Sequence, residues 1–237
     1  MLELLRSTGV LLLYCVVAVS TAFTGRMLIR IPDELFRKIL HCLLLGFAPV
    51  FVYSYARWWH AVAVCVFFVA AFYPVLALLE KRDGFAELTT ERRPGELKAS
   101  MVLVFIMFIV VFTVCWGWLN DRLLVLAVVF AWGPGDAAAA LVGKAWGRHK
   151  IRFGPLDGKK SVEGSAAMFL LSLVSVAAIL LWRGGLRMAA CIVVSLMTAF
   201  VSMLAELLAP NGDDTIICPL AAMVVLLPLI DLFGGLT

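Results

Sequence analysis

GPGDAAAALVGKAWGRHKIRFGPLDGKKSVEGS, residues Gly133 to Ser165, is the stretch on which the reading of this chain turns. Hydrophobic runs lie on both sides of it. Its first part, Gly133 to Gly143, is almost all Gly and Ala around one carboxylate, Asp136. Small residues let helix backbones approach closely in a membrane, and an acid inside an apolar span is costly unless it is used or paired. Its second part, Lys144 to Arg152, is a basic loop. Its third part interleaves Gly154, Pro155, Gly158 and Gly164 with Asp157, Lys159, Lys160, Ser161 and Glu163. Glycines let backbone N–H groups approach phosphate oxygens, and lysines neutralise their charge. The stretch reads as an active site held at a membrane surface.

Working outward, the chain is 63% hydrophobic with a mean hydropathy of +1.02, against about 45–50% apolar residues in soluble domains. The expected fold class is an all-α, polytopic membrane bundle forming one domain over 1–237. Apolar runs fall at roughly Thr8 to Phe23, Leu35 to Tyr55, Trp58 to Leu79, Ser100 to Leu119, Leu123 to Val142, Ser165 to Trp182, Leu186 to Leu208 and Thr215 to Phe233. Each is long enough, or nearly so, to cross about 30 Å of hydrocarbon. About eight transmembrane helices are expected, with seven as the alternative count. The first run lacks a small-residue cleavage site and reads as a retained helix. Pro134, between two glycines, is expected to kink or break the fifth helix, with Asp136 near that helix's end. The six cysteines are scattered in apolar runs and read as small buried hydrophobes.

Fifteen of the twenty Lys and Arg residues lie in the connections after odd-numbered runs or in the first turn of the second. The positive-inside rule places those connections in the cytoplasm and both termini outside. The turn from Arg183 to Arg187 then faces outside and Arg152 faces the cytoplasm. Arg37, Lys38 and His41, the central stretch, and Glu206 with Asp213 and Asp214 all come to the cytoplasmic face. Arg37 and His41 share a helix face at i, i+4 spacing.

Gly135-Asp136-Ala137-Ala138-Ala139-Ala140-Leu141-Val142-Gly143-Lys144, then Trp146-Gly147-Arg148, then Lys160-Ser161-Val162-Glu163-Gly164-Ser165 resembles the signature of the polyprenol kinase family. That family includes dolichol kinase, phytol kinase and the CTP-dependent diacylglycerol kinases, and is related more distantly to phosphatidate cytidylyltransferases. Arg37-Lys38-Ile39-Leu40-His41 is similar to the family's early R-K-x-x-H. Glu206 with Asp213-Asp214-Thr215-Ile216-Ile217-Cys218-Pro219 is similar to its late acidic motif, with Asp214-Thr215 where many members carry Asp-Asn. The resemblance implies CTP as donor and a long-chain isoprenoid alcohol or diacylglycerol as acceptor.

Phosphoryl transfer needs cations on the phosphates, carboxylates for Mg²⁺ and a group that positions or deprotonates the acceptor. Lys144, Arg148, Lys159, Lys160, Ser161, Gly164, Arg37 and Lys38 are the candidates for binding nucleotide and phosphate. Asp136, Glu206, Asp213 and Asp214 are the candidate metal ligands, and Asp136, Glu163 and His41 the candidate catalytic groups. Mg²⁺ takes only one or two carboxylates beside phosphate oxygens, so not all of these acids are ligands. No G-x-x-x-x-G-K-[ST] is present, which excludes a P-loop enzyme, and no nucleic-acid partner is expected. The sequence ranks a CTP-dependent lipid-alcohol kinase first. A phosphatidate cytidylyltransferase-type transferase comes second, because it uses the same ingredients. A transporter comes third, because its charges would lie nearer the bilayer centre.

Overall fold

The computed structural model describes residues 2–29, 31–82, 85, 89, 95–152, 160–209 and 213–236. Among these the chain is helical, with no strand beyond one isolated bridge between Lys150 and Ser161. Eight helices are long and apolar enough to cross a membrane. The chain divides into two compact units, Met1–Trp118 and Leu119–Thr237.

The first unit holds α1 (Leu2–Leu28), α2 (Asp33–Leu45), α3 (Phe47–Ser54), α4 (Trp58–Leu79) and α5 (Glu96–Val111), which passes directly into a π-helical turn at Phe112–Trp118. Pro32 stands just before α2, where its missing N–H costs nothing. Helices α2 and α3 meet at Gly46 and together form one span, Asp33–Ser54. The join is sterically required. A Cβ at Gly46 would fall on the Tyr14 hydroxyl, which donates to the Leu43 carbonyl at 2.7 Å. The core is aromatic: Phe51 meets Phe112 at 5.2 Å, and Phe112 stacks on Phe108 at 5.5 Å. Offset and edge-on ring pairs of this kind contribute beyond their buried area. At one end, Lys98 and Glu80 pair at 2.6 Å and tie α5 to the C-terminus of α4.

The second unit is built from α6 (Arg122–Trp146), α7 (Val162–Arg183), α8 (Met188–Leu208) and α9 (Asp214–Leu232). Helix α6 is apolar all round and has twelve buried residues, as expected for a central helix. It runs without interruption through Pro134, where the sequence suggested a kink or break. Asp136 therefore lies ten residues, about 15 Å, before the end of the helix at Trp146 rather than close to it. The flanking glycines serve contact with α7: a Cβ at Gly135 would come within 2.5 Å of the Met168 sulfur and 2.6 Å of the Ser172 hydroxyl.

The end of this unit at Asp121 and Arg183 is closed by a clasp. Asp121 caps α6 by accepting from the N–H groups of Leu123 and Leu124. Its other oxygen accepts from Arg183 Nε at 2.5 Å, and Arg183 Nη2 donates to the Gly235 carbonyl at 2.6 Å. One guanidinium thus joins the start of α6, the end of α7 and the turn after α9. Only 11% of the Arg183 side chain is exposed, so position 183 is occupied by the clasp rather than offered to solvent, while Arg187 in the same turn is exposed. Removing one partner of a buried pair leaves the other unsatisfied. Arg183→Met is expected to cost about 3–5 kcal/mol of stability, with Arg187→Ala within about 0.5 kcal/mol of wild type. Thermal unfolding in detergent reads both.

Candidate active site

The second unit brings together most of the acids and cations singled out in the sequence. The starting point is the contact between α6 and α7. On α6, Gly135, Ala139, Gly143 and Gly147 recur every four residues and form a smooth ridge. On α7 and its cap they face Ser161, Gly164, Met168 and Ser172. A Cβ at Gly164 would lie 2.8 Å from the Ala139 carbonyl and 3.3 Å from the Cα of Gly143. A Cβ at Gly147 would lie 2.6 Å from the Ser161 hydroxyl. Ser161 is buried and caps α7 by accepting from the Gly164 N–H at 3.2 Å. Gly164 and Ser161, named from sequence for phosphate contact, are thus both built into the helix seam.

The seam fixes what lies beside it. Lys160, the residue before the cap, donates from Nζ to the Glu206 backbone carbonyl and forms an ion pair with its Oε1 at 3.0 Å. The side chains are 24% and 12% exposed, respectively. Glu206 is in the last turn of α8, so Lys160 also meets the negative end of that helix. Sequence reasoning had placed these two in separate roles, the cation on phosphate and the acid on metal. Asp214 opens α9 and accepts from the Thr215 N–H, and Asp213 precedes it, exposed. The buried Cys218 thiol, one turn further on, lies within electrostatic reach of Asp214, Glu206, Asp136 and Lys160. Helices α6, α8 and α9 pack against one another. Asp136 itself is 5% exposed.

Glu163 is turned the other way. Its carboxylate accepts from the His149 backbone N–H, at 3.1 Å to Oε1 and 3.3 Å to Oε2. Oε1 also lies 2.7 Å from His149 Nδ1. With the Ile151 N–H on the Lys160 carbonyl and the Val162 N–H on the His149 carbonyl, this pins the two ends of the basic loop together. His149 was not assigned a role from sequence. Its partner lies fourteen positions away, and no local spacing announces the pairing. Lys144, Arg148, Lys150 and Arg152 are exposed around this base. Lys159 falls outside the described residues. Arg37, Lys38 and His41 lie on α2 of the first unit, half-buried, with Arg37 paired to Glu34 at 2.5 Å.

Among the described residues no three His, Cys, Asp or Glu side chains converge tightly enough to hold a metal by themselves. The carboxylate oxygens of Asp136 and Asp214 are hard donors of the type that Mg²⁺ takes.

In comparisons with known proteins, the family model described as the cytidylyltransferase family matches residues 3–237. No curated protein and no solved structure matches the chain.

The packing account assigns a sign to glycine substitutions. Gly164→Ala must push the seam apart and is expected to lose about 1–3 kcal/mol, as overpacking does. Gly9→Ala, on α1 with nothing within 4 Å, is expected to gain about 0.5–1 kcal/mol. Thermal unfolding of the two variants distinguishes a steric requirement from a general intolerance of alanine.

Proposed function

The chain belongs to the cytidylyltransferase family, and on that footing we propose that it transfers the cytidylyl group of CTP to the phosphate of a membrane lipid, of the phosphatidate type. The observation that carries the reading is the Lys160–Glu206 pair at the end of α8, in a unit where Asp214 opens α9 and Asp136 is buried on α6. Such a set of groups suits a triphosphate brought in with a divalent cation.

In the proposed reaction an oxygen of the lipid phosphate forms a bond to the α-phosphorus of CTP, the bond to the β-phosphate oxygen breaks, and pyrophosphate leaves. The attacking phosphate is already ionised, so no side chain has to remove a proton. This agrees with two of the carboxylates being engaged elsewhere, Glu163 with His149 and Glu206 with Lys160. An ammonium has three N–H donors. In this scheme the Glu206 carbonyl and carboxylate hold the Lys160 ammonium, which meets an incoming phosphate oxygen with its remaining donors. Glu206 acts in this scheme as the residue that positions Lys160 rather than as a metal ligand. The exposed Lys144 and Arg148 receive the outer phosphates. Asp136 and Asp214 would hold Mg²⁺, which when bound offsets charge on the triphosphate. The lysine- and arginine-rich connections support a cytoplasmic site in this reading, where CTP is available.

A second reading has a specific observation in its favour. Lys160-Ser161-Val162-Glu163-Gly164-Ser165 resembles the kinase form of the signature. There a lipid hydroxyl would attack the γ-phosphorus, CDP would leave, and a carboxylate such as Asp136 would take the hydroxyl proton. The family match reverses the order in which the sequence alone ranks the two.

Purified protein in lipid nanodiscs, given CTP labelled at either the α- or the γ-phosphate, separates the readings. With phosphatidate as acceptor, α-label is expected in the lipid and γ-label in pyrophosphate. Transfer of γ-label to a lipid alcohol would establish the kinase reading instead. Asp136→Asn is expected to lower turnover by about 10²-fold or more, and excess EDTA to abolish it until Mg²⁺ is restored.

A further inference from the structure

A groove runs along α1 in the first unit, with a volume of about 710 Å³. Val10, Tyr14, Thr21 and Gly25 line it from α1, and Ile39 and Leu43 from α2. From Val10 to Gly25 is fifteen residues, so the groove is about 22 Å long. Its wall is dry: the Tyr14 hydroxyl already donates to Leu43. A narrow apolar channel of this length beside a helix apolar enough to span a bilayer fits one hydrocarbon chain.

One end of the groove is charged. Arg26 follows Gly25 in the last turn of α1. Its Nη2 donates to Asp33 at 2.9 Å and its guanidinium lies over the Phe36 ring at 4.4 Å. Its Nη1 is buried and has no hydrogen-bond partner among the described residues. A buried donor is costly to leave unmet. Asp33 is 77% exposed, so this pair is weak in water and leaves the guanidinium able to take a second anion. The planar fork of arginine suits phosphate. At position 25 there is no side chain, and a Cβ there would meet nothing within 4 Å. No side chain at position 25 therefore stands between the last groove-lining residue and Arg26, its neighbour in the chain.

We propose that the α1–α2 groove binds one acyl chain of an anionic phospholipid whose phosphate is held by Arg26. A bilayer supplies such a lipid, with its chain along the spanning helix and its phosphate at the helix end. A helix from a second copy would fill the apolar part and leave the Arg26 nitrogen unmet. The site stands apart from the nucleotide reading and does not depend on it.

The test is native mass spectrometry of the delipidated full-length protein titrated with phosphatidylglycerol, with phosphatidylcholine of the same chains, and with inorganic phosphate as competitor. One phosphatidylglycerol is expected to bind at least tenfold more tightly than phosphatidylcholine, and inorganic phosphate not to displace it. Gly25→Trp, and Thr21→Trp from the exposed side of the groove, are expected to weaken that binding at least tenfold. Gly9→Trp, on α1 outside the groove, should leave it unchanged. Arg26→Gln should bring the two lipids within twofold of each other. Thermal unfolding confirms that each variant is folded. Equal affinity of the wild type for the two lipids, wild-type binding by both groove variants, displacement by inorganic phosphate, or a lipid-independent dimer covering the groove would each overturn the assignment.

Discussion

In the second unit Gly164 comes so close to α6 that a Cβ there would lie 2.8 Å from the carbonyl of Ala139 and 3.3 Å from the Cα of Gly143. Everything at the candidate site depends on this contact. No side chain separates the two backbones there, so α6 and α7 run in contact along a ridge of residues spaced by four. In a bilayer, where lipid competes equally for apolar surface, such close van der Waals contact is a main source of helix association. The contact carries chemistry because reactive groups sit one position off it. Asp136 follows Gly135 on one helix, and Lys160 precedes the capping Ser161 on the other. Bringing the glycines together therefore carries an acid from α6 and a cation from the foot of α7 toward the ends of α8 and α9.

The electrostatics follow from that placement. Lys160 is mostly buried and would be costly to leave alone; the carbonyl and carboxylate of Glu206 satisfy it together. A cation held this way has a fixed position, which is how preorganised sites limit reorganisation. Glu163 does the same for backbone rather than substrate. It closes the base of the basic loop through His149 and so holds Arg148, Lys150 and Arg152 at one edge. At Asp121 the logic recurs without a ligand, with Arg183 making its contacts wholly within the protein.

Much of this was legible in the sequence. Eight apolar runs correspond to eight helices that, among the described residues, are long and apolar enough to cross a membrane, because length and hydropathy decide that question. The places of Glu206 near the end of one span and Asp214 at the start of the next were also legible, whereas Asp136 lies deeper in its helix than its place in the sequence suggested. Continuity of α6 through Pro134 was not legible, because a proline's effect depends on whether neighbours tolerate the lost hydrogen bond. Gly164 in a lysine-rich loop reads locally as a phosphate contact, and only the opposing helix shows that it also packs against Ala139 and Gly143. The Glu163–His149 and Lys160–Glu206 pairs join residues 14 and 46 positions apart, beyond any helical or loop periodicity.

The central claim is that the small-residue seam brings α6 against α7 at the level of Asp136. Cysteines introduced as Gly135→Cys and Ser172→Cys, with the native cysteines replaced, test it most directly. The built Cβ at Gly135 lies 2.6 Å from the Ser172 hydroxyl, within the reach of a disulfide after slight adjustment. After mild oxidation and tryptic cleavage in the loop at Lys150 and Arg152, the two halves are expected to run as one species until reduced. Separation of the halves without reduction, from protein that is folded and has both thiols accessible to oxidant, would contradict the account.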